Sequence, residues 1–132
     1  MTELDKPLLL LVEDEALVAV PLEQELIDEG FDVLLAYDGR AALSELVRDA
    51  ARFSGVITDI RLPAVDGWAI SKRARELVPT MPIVYMSGDS AADWAANGVP
   101  ESIMLQKPFA TAQLTAAITK LINEVPPHAP DA

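Results

Sequence analysis

Short apolar runs alternate with longer amphipathic segments along the chain. The apolar runs predict five strands, at residues 8–12, 31–36, 56–58, 83–86 and 102–105. The third and fourth runs carry apolar residues at consecutive positions, which is typical of strands buried on both faces of a sheet. Apolar residues at helical spacing predict helices between the strands, over about residues 16–29, 39–48, 66–78, 90–97 and 111–123.

Local signals set the ends of several of these helices. Gly30 ends the first helix, and Pro21 lies inside it, where the missing N–H should bend the helix. Asp38 is a good N-cap for the second helix, and Pro79 ends the third. The fourth segment is short and rich in alanine. Core positions are predicted for both tryptophans, Trp68 and Trp94.

Five strands alternating with five helices predict an α/β fold. In such a fold a five-stranded parallel sheet is doubly wound, with right-handed crossovers and helices on both faces, as (βα)5. We expect one domain over residues 1–125 and a proline-rich, disordered tail at residues 126–132. No internal repeat and no second domain are evident.

Composition excludes several classes of function. The 132 residues include no cysteine, which excludes disulfides, thiolate metal sites and cysteine nucleophiles. A formal net charge of −11 argues against direct binding of nucleic acid. No apolar run approaches the length of a membrane helix, and the acidic N-terminus has no signal-peptide core. We therefore expect a cytoplasmic protein that does not contact a membrane.

Polar residues stand where four of the predicted strands end. Glu13 and Asp14 follow the first strand, Asp59 the third, Ser87 the fourth, and Lys107 comes just after the fifth. Taken singly, each is an ordinary cap or turn residue. Because the carboxyl ends of parallel strands meet at one edge of a sheet, together they predict a single site there.

This combination of groups suits phosphoryl chemistry. Crowded carboxylates raise the pKa of at least one of their number, and a hard cation such as Mg²⁺ relieves the repulsion. A carboxylate beside Mg²⁺ can act as a nucleophile toward phosphorus, giving an aspartyl phosphate. The Lys107 ammonium and the Ser87 hydroxyl are suited to hold oxygens of the transferred group.

The same residues carry a resemblance to the receiver domain of two-component response regulators. The matching stretches are "LLVEDE", "ITDIRLPAVDG", "IVYMSG" and "LQKPF", in the family's order and near its spacing. The resemblance implies a flavodoxin-like three-layer sandwich with Asp59 as the phosphoacceptor. It also implies a Mg²⁺ site formed by Glu13, Asp14, Asp59 and the backbone carbonyl of Arg61.

The resemblance extends to the phosphate-binding groups and the turns around them. Lys107 is similar to the lysine that reaches the phosphate, ahead of a cis Lys107–Pro108 bond. Ser87 is similar to the hydroxyl residue that moves toward the phosphate, and Pro63 and Gly67 to the loop after the third strand. The implied phosphodonor is a phosphohistidine on a histidine kinase or a histidine phosphotransfer protein.

Three departures from the family pattern affect the expected mechanism. Met104 occupies the place, three residues before the lysine, where relatives usually carry an aromatic switch residue. The segment between Ser87 and Lys107 is slightly short, so the fourth helix is predicted to be stunted. Arg61 and Asp89 flank the site, and we expect them to pair and to shield the phosphate from water.

No effector segment is evident after the last predicted helix. We therefore expect output through a downstream protein target, with the chain a monomer or a phosphorylation-dependent homodimer. The chain should be a substrate of a kinase rather than an enzyme, with weak autophosphatase activity. Two alternatives remain open: an interaction module that is never phosphorylated, and a Mg²⁺-dependent phosphohydrolase with an Asp nucleophile. Those hydrolases usually carry a second acid two residues after the nucleophile, where this chain has Arg61.

Overall fold

A computed structural model describes residues 6–89 and 91–126. Within that part of the chain, one parallel sheet has the strand order β2-β1-β3-β4-β5. Its strands are β1 (Leu8–Val12), β2 (Asp32–Ala36), β3 (Gly55–Asp59), β4 (Ile83–Ser87) and β5 (Ile103–Gln106). The predicted α/β architecture is confirmed. The predicted tail, beyond Pro126, and residue 90 of the fourth predicted helix lie outside the described residues.

Helices cover both faces of this sheet. They are α1 (Ala16–Asp28), α2 (Gly39–Asp49), α3 (Gly67–Leu77), α4 (Trp94–Asn97) and α5 (Thr111–Glu124), with short 3₁₀ helices at Ala50–Arg52 and Ala91–Asp93. Asp38 caps α2 by accepting the Ala41 N–H at 2.7 Å, as predicted, and Asp66 caps α3 in the same way. Among the described residues, every helix is too short or too polar to cross a bilayer.

The core consists of two apolar layers, one on each face of the sheet. In β1, Leu10 and Val12 face α2 and α3, whereas Leu9 and Leu11 face α1 and α5. This division follows from the alternation of side chains along a strand. Every residue of β3 and β4 is buried, as the consecutive apolar positions predicted. The strands β3 and β4 therefore lie inside the sheet, with packed helices on both sides.

Two strand ends differ from the prediction in a way that matters for the site. The sequence pattern ended β3 at residue 58 and β4 at residue 86, but the strands include Asp59 and Ser87. Both polar residues keep sheet pairing, since Asp59 is in register with Met86 and Ser87 with Gln106. The prediction ended each strand just before Asp59 or Ser87, whereas the backbone pairing continues through these polar residues.

The end of the sheet nearest α4 holds two further differences. Ser102 was predicted to begin β5, but the strand begins at Ile103, and the Ser102 hydroxyl instead donates to the carbonyl of Val99. Both tryptophans were predicted to lie in the core. Trp94 is instead 38% exposed on α4, whereas Trp68 is half-buried and packs against the core. The expected shortness of the fourth helix is confirmed, because α4 has only 4 residues.

Candidate functional site

The predicted acidic residues come together at the carboxyl ends of β1 and β3. These strands are neighbours, with Val12 in register with Thr58, so the residues that follow β1 lie beside the end of β3. Glu13, Asp14 and Asp59 each offer a carboxylate oxygen, and these oxygens lie within 4.8 Å of one another. The convergence of the three acids at one edge of the sheet, predicted from strand ends alone, is what the structure shows.

Lys107 binds two of these three acids. Its ammonium Nζ donates to Glu13 Oε1 at 2.9 Å and to Asp59 Oδ2 at 3.3 Å. Its backbone N–H donates to the carbonyl of Ser87 at 2.7 Å, which places the lysine against the end of β4, and the Lys107–Pro108 bond is cis as predicted. The contact with Glu13 was not foreseen. The sequence offered a clue to this contact, because a carboxylate that directly follows a run of buried apolar residues needs a cationic partner.

The carboxylate of Asp59 is buried but well bonded. Its Oδ1 accepts the N–H of Ile60 at 3.0 Å, and the residue is 8% exposed. Burial, together with the negative charge of Glu13, raises the pKa of Asp59 from its usual 3.8 to about 6, although Lys107 acts in the opposite direction. Burial also acts to lower the pKa of Lys107, but the two acids outweigh it and raise that pKa. Near pH 7 the pair is therefore a carboxylate and an ammonium.

The loop between β3 and α3 brings the start of α3 against the backbone of Asp59 and Ile60. The N–H of Gly67 donates to the carbonyl of Ile60 at 2.8 Å. A Cβ atom at Gly67 would lie 2.4 Å from the backbone oxygen of Asp59, so the approach requires glycine. Ala64 adopts a positive φ of 67°, where the N–H of Val65 turns back to the carbonyl of Pro63 at 2.7 Å.

Ser87, Arg61 and Asp89 complete the edge of the site. Ser87 is the last residue of β4 and is 2% exposed, and its hydroxyl oxygen accepts the N–H of Asp89 at 3.1 Å. Arg61 forms an ion pair with Asp89, with 2.9 Å between Nε and Oδ1, which confirms the predicted pairing. With Asp59 and Lys107 they line an open cavity of 590 Å³. The role of the Arg61 backbone carbonyl as a metal ligand stays a prediction.

An exposed apolar surface on α1 adjoins the site and was missed from the sequence. Leu17 is 93% exposed, and with Val18, Pro21 and Phe109 it borders a groove that reaches Lys107. Its signal was the stretch "ALVAVPL", which places apolar residues on every side of the first turns of α1. Only part of such a helix surface can face the core.

Comparison with known families decides the assignment. The model of the response regulator receiver domain family matches residues 9–119. The chain belongs to this family. The acids after β1, the acid that ends β3, the hydroxyl that ends β4 and the lysine after β5 thus lie in a receiver domain of two-component signalling.

Individual relatives agree with this assignment. A response regulator receiver protein from Sinorhizobium medicae has a TM-score of 0.89 and 45% identity, covering 93% of this chain and 99% of that one. The receiver domain of the sensor histidine kinase PA1611 from Pseudomonas aeruginosa, solved with a magnesium ion in its active-site cleft, has a TM-score of 0.78 and 26% identity, covering 90% and 99%. The transcriptional regulatory protein PrrA of Mycobacterium tuberculosis is 30% identical over 124 residues, 92% of this chain and 52% of PrrA. The chain spans about half the length of the curated relatives that it matches.

Proposed function

We propose that Asp59 is the phosphoacceptor of this receiver and takes a phosphoryl group from a phosphohistidine in a Mg²⁺-dependent reaction. The observation that carries the proposal is the buried Asp59 carboxylate, 3.3 Å from the Lys107 ammonium and within 4.8 Å of two further acids. A carboxylate with a pKa of about 6 is ionised near pH 7 and so available as a nucleophile.

The donor set fits magnesium. Three carboxylates face a single ammonium, so the cluster has an excess of negative charge, and hard carboxylate oxygens are the ligands that Mg²⁺ prefers. Glu13, Asp14, Asp59 and the backbone carbonyl of Arg61 would hold the ion. When bound, Mg²⁺ supplies positive charge that offsets the charge of the phosphoryl oxygens. The magnesium ion in the cleft of the PA1611 receiver supports the same assignment here.

The transfer step follows from the positions of the side chains. An oxygen of the Asp59 carboxylate forms a bond to phosphorus, the phosphorus–nitrogen bond of the phosphohistidine breaks, and its electron pair stays on the imidazole. Lys107, already directed at Asp59 Oδ2, is placed to bind one oxygen of the transferred group. The Ser87 hydroxyl, at the end of the neighbouring strand, is placed to bind another.

The expected partners are proteins. The donor is a histidine kinase or a histidine phosphotransfer protein, and the exposed apolar surface at Leu17, beside Lys107, supports a protein donor. Phosphorylation adds about 1.5–2 negative charges at Asp59, which biases the receiver toward a second arrangement that a downstream protein reads. The net charge of −11 argues against direct contact with nucleic acid. We further propose that the chain is a cytoplasmic substrate of such a kinase and that it loses its own phosphate slowly.

Incubation with Mg²⁺ and acetyl phosphate tests the proposal. We expect a single phosphoryl group, found by mass spectrometry on the peptide that carries Asp59, and no label when a chelator removes the metal. Steady release of phosphate without labelled protein would instead indicate a phosphohydrolase. An unlabelled, inert protein would support the alternative of a phosphorylation-independent interaction module, and either of these results overturns the proposal.

The pair formed by Arg61 and Asp89 should prolong the life of the phosphorylated state. It lies at the cavity beside Asp59, where it hinders water from reaching phosphorus. Arg61→Ala and Asp89→Ala are each expected to speed the loss of label by about two- to fivefold, the range that a surface ion pair can supply. The decay of labelled protein after removal of the donor measures this rate.

Arg73→Ala is a matched control, since Arg73 forms an exposed ion pair with Glu76 on α3. It should leave the rate unchanged. If the two variants near the site decay at the rate of this control, the pair does not shield the phosphate.

A further inference from the structure

An aromatic residue lies on β4 in register with the methionine of β5. Met104, which stands where relatives carry an aromatic switch, is paired across the sheet with Tyr85. Tyr85 is fully buried, and it precedes Ser87 by two residues, so both side chains lie on the same face of β4. The structure thus places a buried aromatic side chain on the same face of β4 as the hydroxyl residue of the site, one strand away from the usual position.

The Tyr85 hydroxyl joins three separate parts of the fold. It donates to the hydroxyl oxygen of Ser71 on α3 at 2.6 Å and accepts the N–H of Val99, which precedes β5, at 3.0 Å. Its ring packs on Trp68, with ring centroids 4.8 Å apart. Because Tyr85 is inaccessible to water, losing these hydrogen bonds would leave buried polar groups unpaired, which disfavours any movement that breaks them.

The hydrogen bonds continue from Val99 to the surface. The Val99 carbonyl accepts from the Ser102 hydroxyl at 2.6 Å, and that hydroxyl oxygen in turn accepts from Nε1 of Trp94 at 2.9 Å. Trp94 begins α4 and also packs against the backbone of Gly98, where a Cβ would lie 2.3 Å from the indole. A connected set of bonds therefore runs from the interior of β4 to an exposed tryptophan.

We infer that the Tyr85 hydroxyl couples the phosphorylation of Asp59 to the position of α4, with Trp94 as the exposed end of the coupled group. This inference rests on the proposed phosphoacceptor function. A shift of Ser87 toward the phosphoryl group displaces the end of β4, and Tyr85 is two residues away on the same face. The buried hydroxyl retains its bonds, so Val99, Ser102 and Trp94 move with it.

The length of α4 makes it the element that responds. It has 4 residues and no buried residue of its own, whereas α3, which carries Ser71, has 11 residues and several buried positions. A short helix with few internal bonds is displaced at a lower free energy than a long packed one. The Tyr85 hydroxyl thus bonds directly to Ser71 on the long helix α3, and it is linked to the short helix α4 through Val99, Ser102 and Trp94.

Fluorine NMR of protein labelled with fluorotryptophan tests the coupling. The chain has 2 tryptophans, so the Trp68→Phe background leaves the resonance of Trp94 alone. On treatment with Mg²⁺ and acetyl phosphate, that resonance should shift in step with the label on Asp59. Tyr85→Phe removes the hydroxyl and keeps the ring. The shift is expected to shrink by at least about twofold, in the range of measured coupling effects, while labelling proceeds as in the parent.

Two further variants complete the experiment. Ser102→Ala breaks the next bond in the set and should reduce the shift in the same way, which provides a second test if Tyr85→Phe folds poorly. Tyr37→Phe is the matched control, since Tyr37 is the other of the chain's 2 tyrosines and is 47% exposed, and it should retain the full shift.

The possible results distinguish a failure of the coupling from a failure of the proposed phosphoacceptor function. A Trp94 resonance that stays in place while Asp59 is labelled overturns the coupling alone. The coupling is also overturned if Tyr85→Phe and Ser102→Ala both keep the full shift, or if Tyr85→Phe blocks labelling itself. Absence of label on the parent protein overturns the proposed function and the coupling together.

Discussion

Replacement of Asp59 by asparagine is expected to abolish labelling by acetyl phosphate and, in metal-free buffer, to stabilise the fold by about 1–2 kcal/mol. The amide has no anionic oxygen for attack on phosphorus. It also removes a charge that burial and Glu13 disfavour, as the pKa of about 6 shows. Denaturant unfolding of wild type and variant in the presence of a chelator measures the second effect, and intact mass measures the first.

The size of the stability effect depends on pH. In the native state the pKa of Asp59 is raised from 3.8 to about 6, so the folded protein holds this proton more tightly than the unfolded chain does. The carboxyl group's contribution to stability is therefore retained below about pH 4 and lost as the pH rises to about 6. The advantage of the asparagine variant should grow over this interval and stay constant above it.

Asp32→Asn is the matched control, because Asp32 is an exposed acid at the opposite edge of the sheet. It should be labelled normally and unfold within about 0.5 kcal/mol of the wild type. An Asp59→Asn variant that unfolds at lower denaturant than this control would show that the Asp59 charge does not destabilise the fold, and one that still takes up label would show that Asp59 is not the phosphoacceptor.

Replacement of Lys107 by methionine is expected to have the opposite effect on stability. The ammonium is the partner of Glu13, which is fully buried, and of Asp59. Its removal leaves these carboxylates without a cation and should lower the free energy of unfolding by about 2–4 kcal/mol in the presence of a chelator. Unfolding in millimolar Mg²⁺ should show a smaller loss, since the metal restores positive charge at the same acids.

Lys120→Met provides the comparison for this change. Lys120 pairs with Glu124 on the exposed face of α5, so the substitution should alter stability by no more than about 0.5 kcal/mol. Equal losses at the two positions, or a loss at Lys107 that Mg²⁺ leaves unchanged, would show that Lys107 does not neutralise buried charge.

The fold and the gathering of the acids could be predicted because they depend on periodicity. Apolar runs and helical spacing define the alternation of strands and helices, and parallel strands bring their carboxyl ends to one edge. The last pairing of β3 and β4 could not be found in this way. Asp59 and Ser87 are polar, and a hydrophobic pattern carries no information about backbone bonds that continue past it.

Contacts between distant segments could not be predicted from the sequence pattern either. The Tyr85 hydroxyl meets Ser71, 14 residues earlier, and Val99, 14 residues later, and no spacing rule relates such positions. The bond from the ring nitrogen of Trp94 to Ser102, made while the tryptophan is 38% exposed, was likewise not predictable from the spacing of apolar residues. The shortness of α4 was predictable, since few residues separate Ser87 from Lys107.

The ion pair of Arg61 and Asp89 lies outside the buried cluster, on side chains that are 75% and 61% exposed. Exposed pairs contribute little to folding free energy. The two loop positions can therefore be exchanged for other residues at little cost to the fold, while Glu13, Asp14, Asp59 and Lys107 stay unchanged. If the pair shields the phosphate as proposed, exposed loop residues set how long a signal persists, separately from the buried residues proposed to carry the transfer.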